Sequence, residues 1–184
     1  MKSLISAAVI GAVALATALP IMAQQHQRVS PHETISAVID HNRVTITYGR
    51  PYTTKPGSTE ARKIWGSLVP WGEPWRMGAD EATLLVTQQP IVLGGKTVPA
   101  GAYTLYLVPS ENGASQLAIS TSIGGWGIPV DTGHDLARVD LTKSALDQPV
   151  TQFTMAVGKG DSGGGVIKLM WESTQFSVPF TVAK

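Results

Sequence analysis

Cysteine is missing from all 184 positions. No disulfide can brace the fold and no lipid can be attached through a thiol, so stability has to come from packing and hydrogen bonds. Long apolar runs are almost as scarce. Beyond Leu4–Leu19 nothing approaches the roughly 20 residues that a bilayer-spanning helix needs. Internal repeats and linkers rich enough to divide the chain are also missing, and the one low-complexity run is Gly158–Gly165. Net charge is nearly absent, at +1. Without an excess of cation there is no global pull toward nucleic acid or an anionic lipid surface, and neither is an expected partner.

What is present begins with Met1-Lys2, the apolar stretch, and then Pro20-Ile21-Met22-Ala23 ahead of the polar Gln24-Gln25-His26. A short positive region, an apolar core and a small residue at the cut describe a secretory signal. Cleavage is expected after Ala23. That leaves residues 24–184 as one domain with its core at about 29–182, free of the membrane, in the periplasm or outside the cell. Lys2 is the only charged residue among the first 23, so its removal takes the formal charge to zero. The remaining length is ample for one hydrophobic core.

Period-two alternation marks the strands, because successive side chains on a strand point to opposite faces. Thr34–Asp40 puts Ile35, Ala37 and Ile39 on one face, His41-Asn42 is expected to turn, and Arg43–Tyr48 puts Val44, Ile46 and Tyr48 together. Ala82–Gln88, Ile91–Leu93, Lys96–Val98 and Tyr103–Val108 follow, with Gly94-Gly95 as a two-residue hairpin turn. Gln116–Ser120, Leu136–Leu141, Gln152–Val157, Val166–Trp171 and Gln175–Val182 complete the set. Roughly ten short strands with no long amphipathic helix predict an all-β, single-domain antiparallel sandwich, jelly-roll-like or partly closed as a barrel.

One segment breaks the pattern. Gly49–Asp80 contains Pro51, Pro56, Pro70 and Pro74, and proline excludes a regular central strand or long helix. Its tryptophans oppose disorder, so an ordered loop is expected, with a short helical turn around Ala61–Trp65. Between positions 43 and 76 lie Arg43, Arg50, Lys55, Arg62, Lys63 and Arg76 against only Glu60 and Glu73, together with Trp65, Trp71 and Trp75. Trp126 and Trp171 lie outside this cluster and read as core.

Three chemistries are weighed against these residues. Gly160-Asp161-Ser162-Gly163-Gly164 spells the surroundings of a chymotrypsin-type nucleophile, but a serine needs a general base and a group orienting it. His26, His32, His41 and His134 lack that context, and a glycine-rich run between two alternating segments is a hairpin connection. His32-Glu33, Asp40-His41 and His134-Asp135 lack the spacing of a zinc or calcium site, so no metal and no cofactor is expected. The Arg/Trp segment carries the sharper case. Guanidinium gives paired hydrogen bonds to an anion and indole gives a flat apolar surface. Tyr48, Arg50, Arg62, Lys63, Trp65, Trp71, Trp75, Arg76, Asp80 and Glu81 are therefore the candidate binding residues, and no catalytic residue is assigned. A structural role is the competing reading: tryptophans plugging one end of the sandwich, with Arg50, Arg62 and Arg76 paired to Asp80, Glu81 and backbone carbonyls.

The run Tyr48-Gly49-Arg50-Pro51, then Arg62-Lys63-Ile64-Trp65-Gly66-Ser67-Leu68-Val69-Pro70-Trp71-Gly72 and Trp75-Arg76-Met77-Gly78-Ala79-Asp80-Glu81 resembles bacterial exported proteins catalogued as domain of unknown function 2911. Gly94-Gly95-Lys96, Pro99-Ala100-Gly101-Ala102-Tyr103 and Trp171-Glu172 fit the same pattern, so the resemblance runs from about Val29 to Val182. It departs at Lys55–Glu60, longer than the usual tight connection, and at Asp80, where asparagine is common. The resemblance implies an exported compact β domain and no reaction. The expected function is a non-catalytic binding module for a small polar or anionic ligand. The alternatives are a hydrolase using Glu73, Asp80 or Glu81 with Tyr48 or His32, and an envelope structural or interaction protein.

Overall fold

The computed structural model describes residues 28–183; the expected signal sequence, residues 1–23, lies outside them. Alternation builds the first hairpin, β1 (His32–Ile39) and β2 (Asn42–Gly49), with Val44, Ile46 and Tyr48 buried and the residues between them on the outer face. The strands that follow are β3 (Thr83–Thr87), β4 (Ile91–Leu93), β5 (Lys96–Val98), β6 (Gly101–Val108), β7 (Ser115–Ser120), β8 (Asp135–Lys159) and β9 (Gly165–Val182). Among the described residues there is no helix.

All nine strands pair antiparallel in one sheet of order β1-β2-β3-β6-β7-β8-β9-β4-β5. The sheet is not closed edge to edge, yet it curls far enough to enclose a single core. Buried residues of β2, β3, β6 and β7 share that core with Ile91 and Leu93 of β4 and with Phe153, Met155, Ile167 and Leu169 of β8 and β9. Tyr48 ties the two sides together: its Oη accepts the Met155 N–H at 2.8 Å and donates to Glu33 Oε2 at 2.8 Å.

Two pairs of expected strands prove to be continuous. Leu136–Leu141 and Gln152–Val157 both belong to β8, and Val166–Trp171 and Gln175–Val182 both belong to β9. The middle of β8 hides this because residues 142–151 are almost all exposed and include Pro149, which a shifted register accommodates. On β9 the inward parity flips, from Ile167, Leu169 and Trp171 to Phe176, Val178 and Phe180. The flip occurs at Glu172, whose φ is 50° and whose pairing with Val150 sits between two register shifts.

The first turn is displaced by one residue from the sequence reading. Asp40 and His41 form it, with φ of 47° and 65°, and Asn42 is buried. Its amide donates to Thr87 Oγ1 at 2.9 Å and accepts the Gln89 N–H at 2.9 Å, which fixes the exit of β3. Gly160–Gly164 is the connection between β8 and β9, closed by the Gly160 N–H donating to Gly164 O at 3.1 Å.

Candidate functional site

The segment between β2 and β3 first runs beside β8. Thr53 N–H donates to Thr151 O at 2.7 Å, and Phe153 N–H donates to Pro51 O at 2.8 Å. Lys55-Pro56-Gly57-Ser58 then reverses the chain. Proline presets φ, Gly57 takes a φ of 69°, and Ser58 N–H reaches Lys55 O at 3.1 Å, as a type II turn requires. Arg62 N–H closes the hairpin on Thr53 O at 2.8 Å. Lys55–Glu60, the stretch longer than the resemblance implies, is the tip of this hairpin.

No helical turn forms at Ala61–Trp65. Ala61 is bridged to Thr54 in the hairpin, and the reversal comes later, where Val69 N–H donates to Ile64 O at 2.9 Å with both side chains buried. Trp75 next exchanges two backbone hydrogen bonds with Leu107, at 2.7 and 2.8 Å, taking a place alongside β6 beyond the end of β3.

These turns assemble an aromatic wall. Trp65 stacks on Trp71 with centroids 6.2 Å apart, and Trp75 stacks on Trp171 at 5.5 Å. Trp65 also meets Phe176 edge-on at 5.4 Å, and Trp75 meets Phe153 at 5.0 Å. Offset and edge-on aromatic pairs each add about 0.5–1.5 kcal/mol beyond the area they bury, so this wall is a rigid structural surface. Trp171 is core as expected, at 1% exposure. Trp126 is not: at 54% exposure it lies on the surface, with the Arg76 guanidinium 5.5 Å from its ring centroid.

The cations are largely committed. Arg50 donates to Phe153 O at 3.2 Å and Thr154 Oγ1 at 2.8 Å, and pairs with Glu33 at 3.2 Å. Arg76 donates to the carbonyls of Gly78, Asp80 and Trp126, and burial holds its pKa below the ordinary arginine value. Lys63 is exposed and stands apart. Tyr48 is held by Glu33 and Met155, and its burial, with Glu33 beside it, pushes its pKa up to about 12. Glu81 pairs with Arg28 and with His32 Nε2 at 3.0 Å, and Asp80 lies 3.6 Å from the same nitrogen. The Glu81 pKa is lowered, first by a hydrogen bond from its own backbone amide and then by Arg28 and His32. Among the described residues no group of three or more side chains forms a metal site.

A cleft of about 900 Å³ opens between the hairpin, the Leu68–Arg76 stretch and the residues 128–130. Of the ten candidate residues it gathers Arg62, Trp75 and Arg76; Tyr48, Arg50, Lys63, Trp65, Trp71, Asp80 and Glu81 lie outside its lining. Its walls add Tyr52, Pro70, Pro74, Ile128, Pro129 and Trp171. Sequence reasoning missed Tyr52, because a proline-rich loop has no alternation to show which way a side chain points. It missed Ile128 and Pro129 because they come from a distant connection. Two residues of the lining, Arg62 and Trp171, each carry a donor, Nε and Nε1, that is fully buried and has no hydrogen-bond acceptor among the described residues. Arg62 Nη2, by contrast, donates to Tyr52 O.

A family model described as "Protein of unknown function (DUF2911)" matches residues 30–180. No curated protein and no solved structure matches the chain.

Proposed function

The chain belongs to the DUF2911 family of proteins of unknown function, and we propose that it is a non-catalytic binding protein that holds a small anionic ligand in the cleft beside Trp75. One observation carries this reading. Among the described residues the Arg62 guanidinium lines the cleft with no carboxylate partner, and its one hydrogen bond within the protein runs from Nη2 to Tyr52 O. A guanidinium can only donate, and its fork of N–H groups matches the oxygens of an anion. Apolar walls with a few directed polar groups are the usual make-up of a ligand site, and about 300–1,000 Å³ is its usual size.

The hydrolase reading loses most of its residues to structural work. Glu81 is engaged by Arg28 and His32, Asp80 lies beside His32, and Tyr48 holds Glu33 and Met155. Glu73 does line the cleft, but among the described residues no hydrogen bond or ion pair ties its carboxylate to a second acid or base, as a general acid–base pair would need. The same proposal assigns the mature chain, residues 24–184, to the periplasm or the exterior of the cell. Sequencing the N-terminus of exported protein checks that part, and a start other than Gln24 revises it.

Intrinsic tryptophan fluorescence tests the binding reading, since Trp75 and Trp171 both border the cleft. Titration of the mature protein with carboxylates, phosphates and neutral sugars should give a saturable change with an anion that Arg62→Ala abolishes, with the ligand recovered chemically unchanged. The absence of any anion response would remove the proposal.

A further inference from the structure

We infer that the ligand is an unbranched acyl carboxylate, its carboxylate held at Arg62 and its hydrocarbon chain laid along the cleft. This rests on the binding reading above and names the class of molecule it requires.

The apolar half comes from where exposed hydrocarbon is concentrated. Among the described residues nine large apolar side chains are exposed, and four of them, Val29, Tyr52, Leu68 and Ile128, line this one cleft. Covering them removes apolar surface from water, which favours a ligand with a hydrocarbon body. A planar ring is less well served, because indole faces are already used within the protein: Trp71 stacks on Trp65, and Trp75 on Trp171.

The polar half comes from counting what is unspent. Lys55 is paired with Glu60 at 2.8 Å, and Arg76 is bonded to three backbone carbonyls. Arg62 remains, with no carboxylate partner among the described residues and only Nη2 bonded, to Tyr52 O. One such guanidinium matches the two oxygens and single charge of a carboxylate. A phosphate monoester brings a charge of about −1.5 to −2, more than one guanidinium balances, and Glu73 in the same lining opposes the extra negative charge. A neutral sugar brings no charge to set against Arg62, and its hydroxyls would lie against the exposed hydrocarbon of Val29, Leu68 and Ile128.

The test is a fluorescence titration of the mature protein with acetate, hexanoate, octanoate and decanoate, with 1-octanol and inorganic phosphate as controls. Affinity should rise about fourfold for each added methylene, and octanoate should bind at least tenfold more tightly than 1-octanol. Arg62→Gln should erase the difference between octanoate and 1-octanol, and Leu68→Ser should flatten the dependence on chain length, each checked for native far-UV circular dichroism. Equal binding of acetate or phosphate and octanoate would overturn the acyl assignment while leaving anion binding intact. Equal binding of octanoate and 1-octanol would overturn the carboxylate assignment. No response to any anion would overturn both this inference and the binding reading beneath it.

Discussion

Gly49 and Ala79 cross at backbone contact: a β-carbon on Gly49 would lie 2.1 Å from the Ala79 carbonyl oxygen. Gly78 repeats the constraint, with its β-carbon position 2.8 Å from Gly49 O. The far end of the long segment is thereby pressed onto the end of β2, and that contact helps hold Trp75 and Arg76 against the cleft.

Gly49→Ala should therefore destabilise the fold by about 1–3 kcal/mol or more, since the clash is with backbone that cannot rotate away. Gly158 has no neighbour within 4 Å of its β-carbon position and no positive φ, so Gly158→Ala should be neutral or slightly stabilising. Urea unfolding of the two variants checks the contrast. Equal stabilities would mean that the crossing is not tight.

Removing the Tyr48 hydroxyl leaves the buried Met155 N–H without its acceptor. Tyr48→Phe should cost about 1–3 kcal/mol. Its pH dependence has a definite sign. Tyr48 is pushed up to about 12 in the fold, from an ordinary value of 10. The native state thus keeps a proton that the unfolded chain releases, and this contribution is full below pH 10 and is lost as pH rises toward 12. Alkaline unfolding of Tyr48→Phe should be less steep over that interval, measured by circular dichroism.

Arg76 bonds three carbonyls contributed by two separate stretches of chain. Arg76→Gln should leave acceptors unpaired and release residues 121–134, at a cost of about 1–3 kcal/mol. Limited proteolysis should then cut within 121–134 sooner than in the parent protein. Unchanged cleavage would mean that the Arg76–Trp126 contact does not hold that stretch in place.

Glu172 sits at the β9 parity flip, and burial raises its pKa. A carboxyl that holds its proton more tightly when folded makes the native state most favoured below the unfolded value. That advantage is lost as pH climbs through the folded value. At neutral pH the ionised side chain is a burden, so Glu172→Gln should melt higher than the parent at pH 7, with the gap closing by pH 4. A lower melting temperature at pH 7 would contradict this.

Where one face of a strand was buried along its whole length, the sequence was readable residue by residue. Val44, Ile46 and Tyr48 lie inward as their alternation required. β8 and β9 were not readable as wholes, because solvent exposure in one and a bulge at Glu172 in the other interrupt the period that betrays a strand. The candidate site was legible as composition but not as geometry. Arg50, Arg62 and Arg76 look alike in one dimension, yet carbonyls and hydroxyls absorb the first and third while Arg62 keeps an unpaired N–H. Trp171 could be read as core, and it is core. No local pattern says that it would also back the wall of a cleft.

The bond between Tyr48 and Met155 spans 107 positions of chain. Contacts of such separation must overcome the entropy of closing a long loop before they reward it, and folds dominated by them are slow to form, in the range of milliseconds to seconds. Until that seam joins, the hydrocarbon of Phe153, Met155 and Trp171 stands open to water. The interval of greatest danger for this molecule is the one before β2 and β8 have met, when aggregation competes with folding.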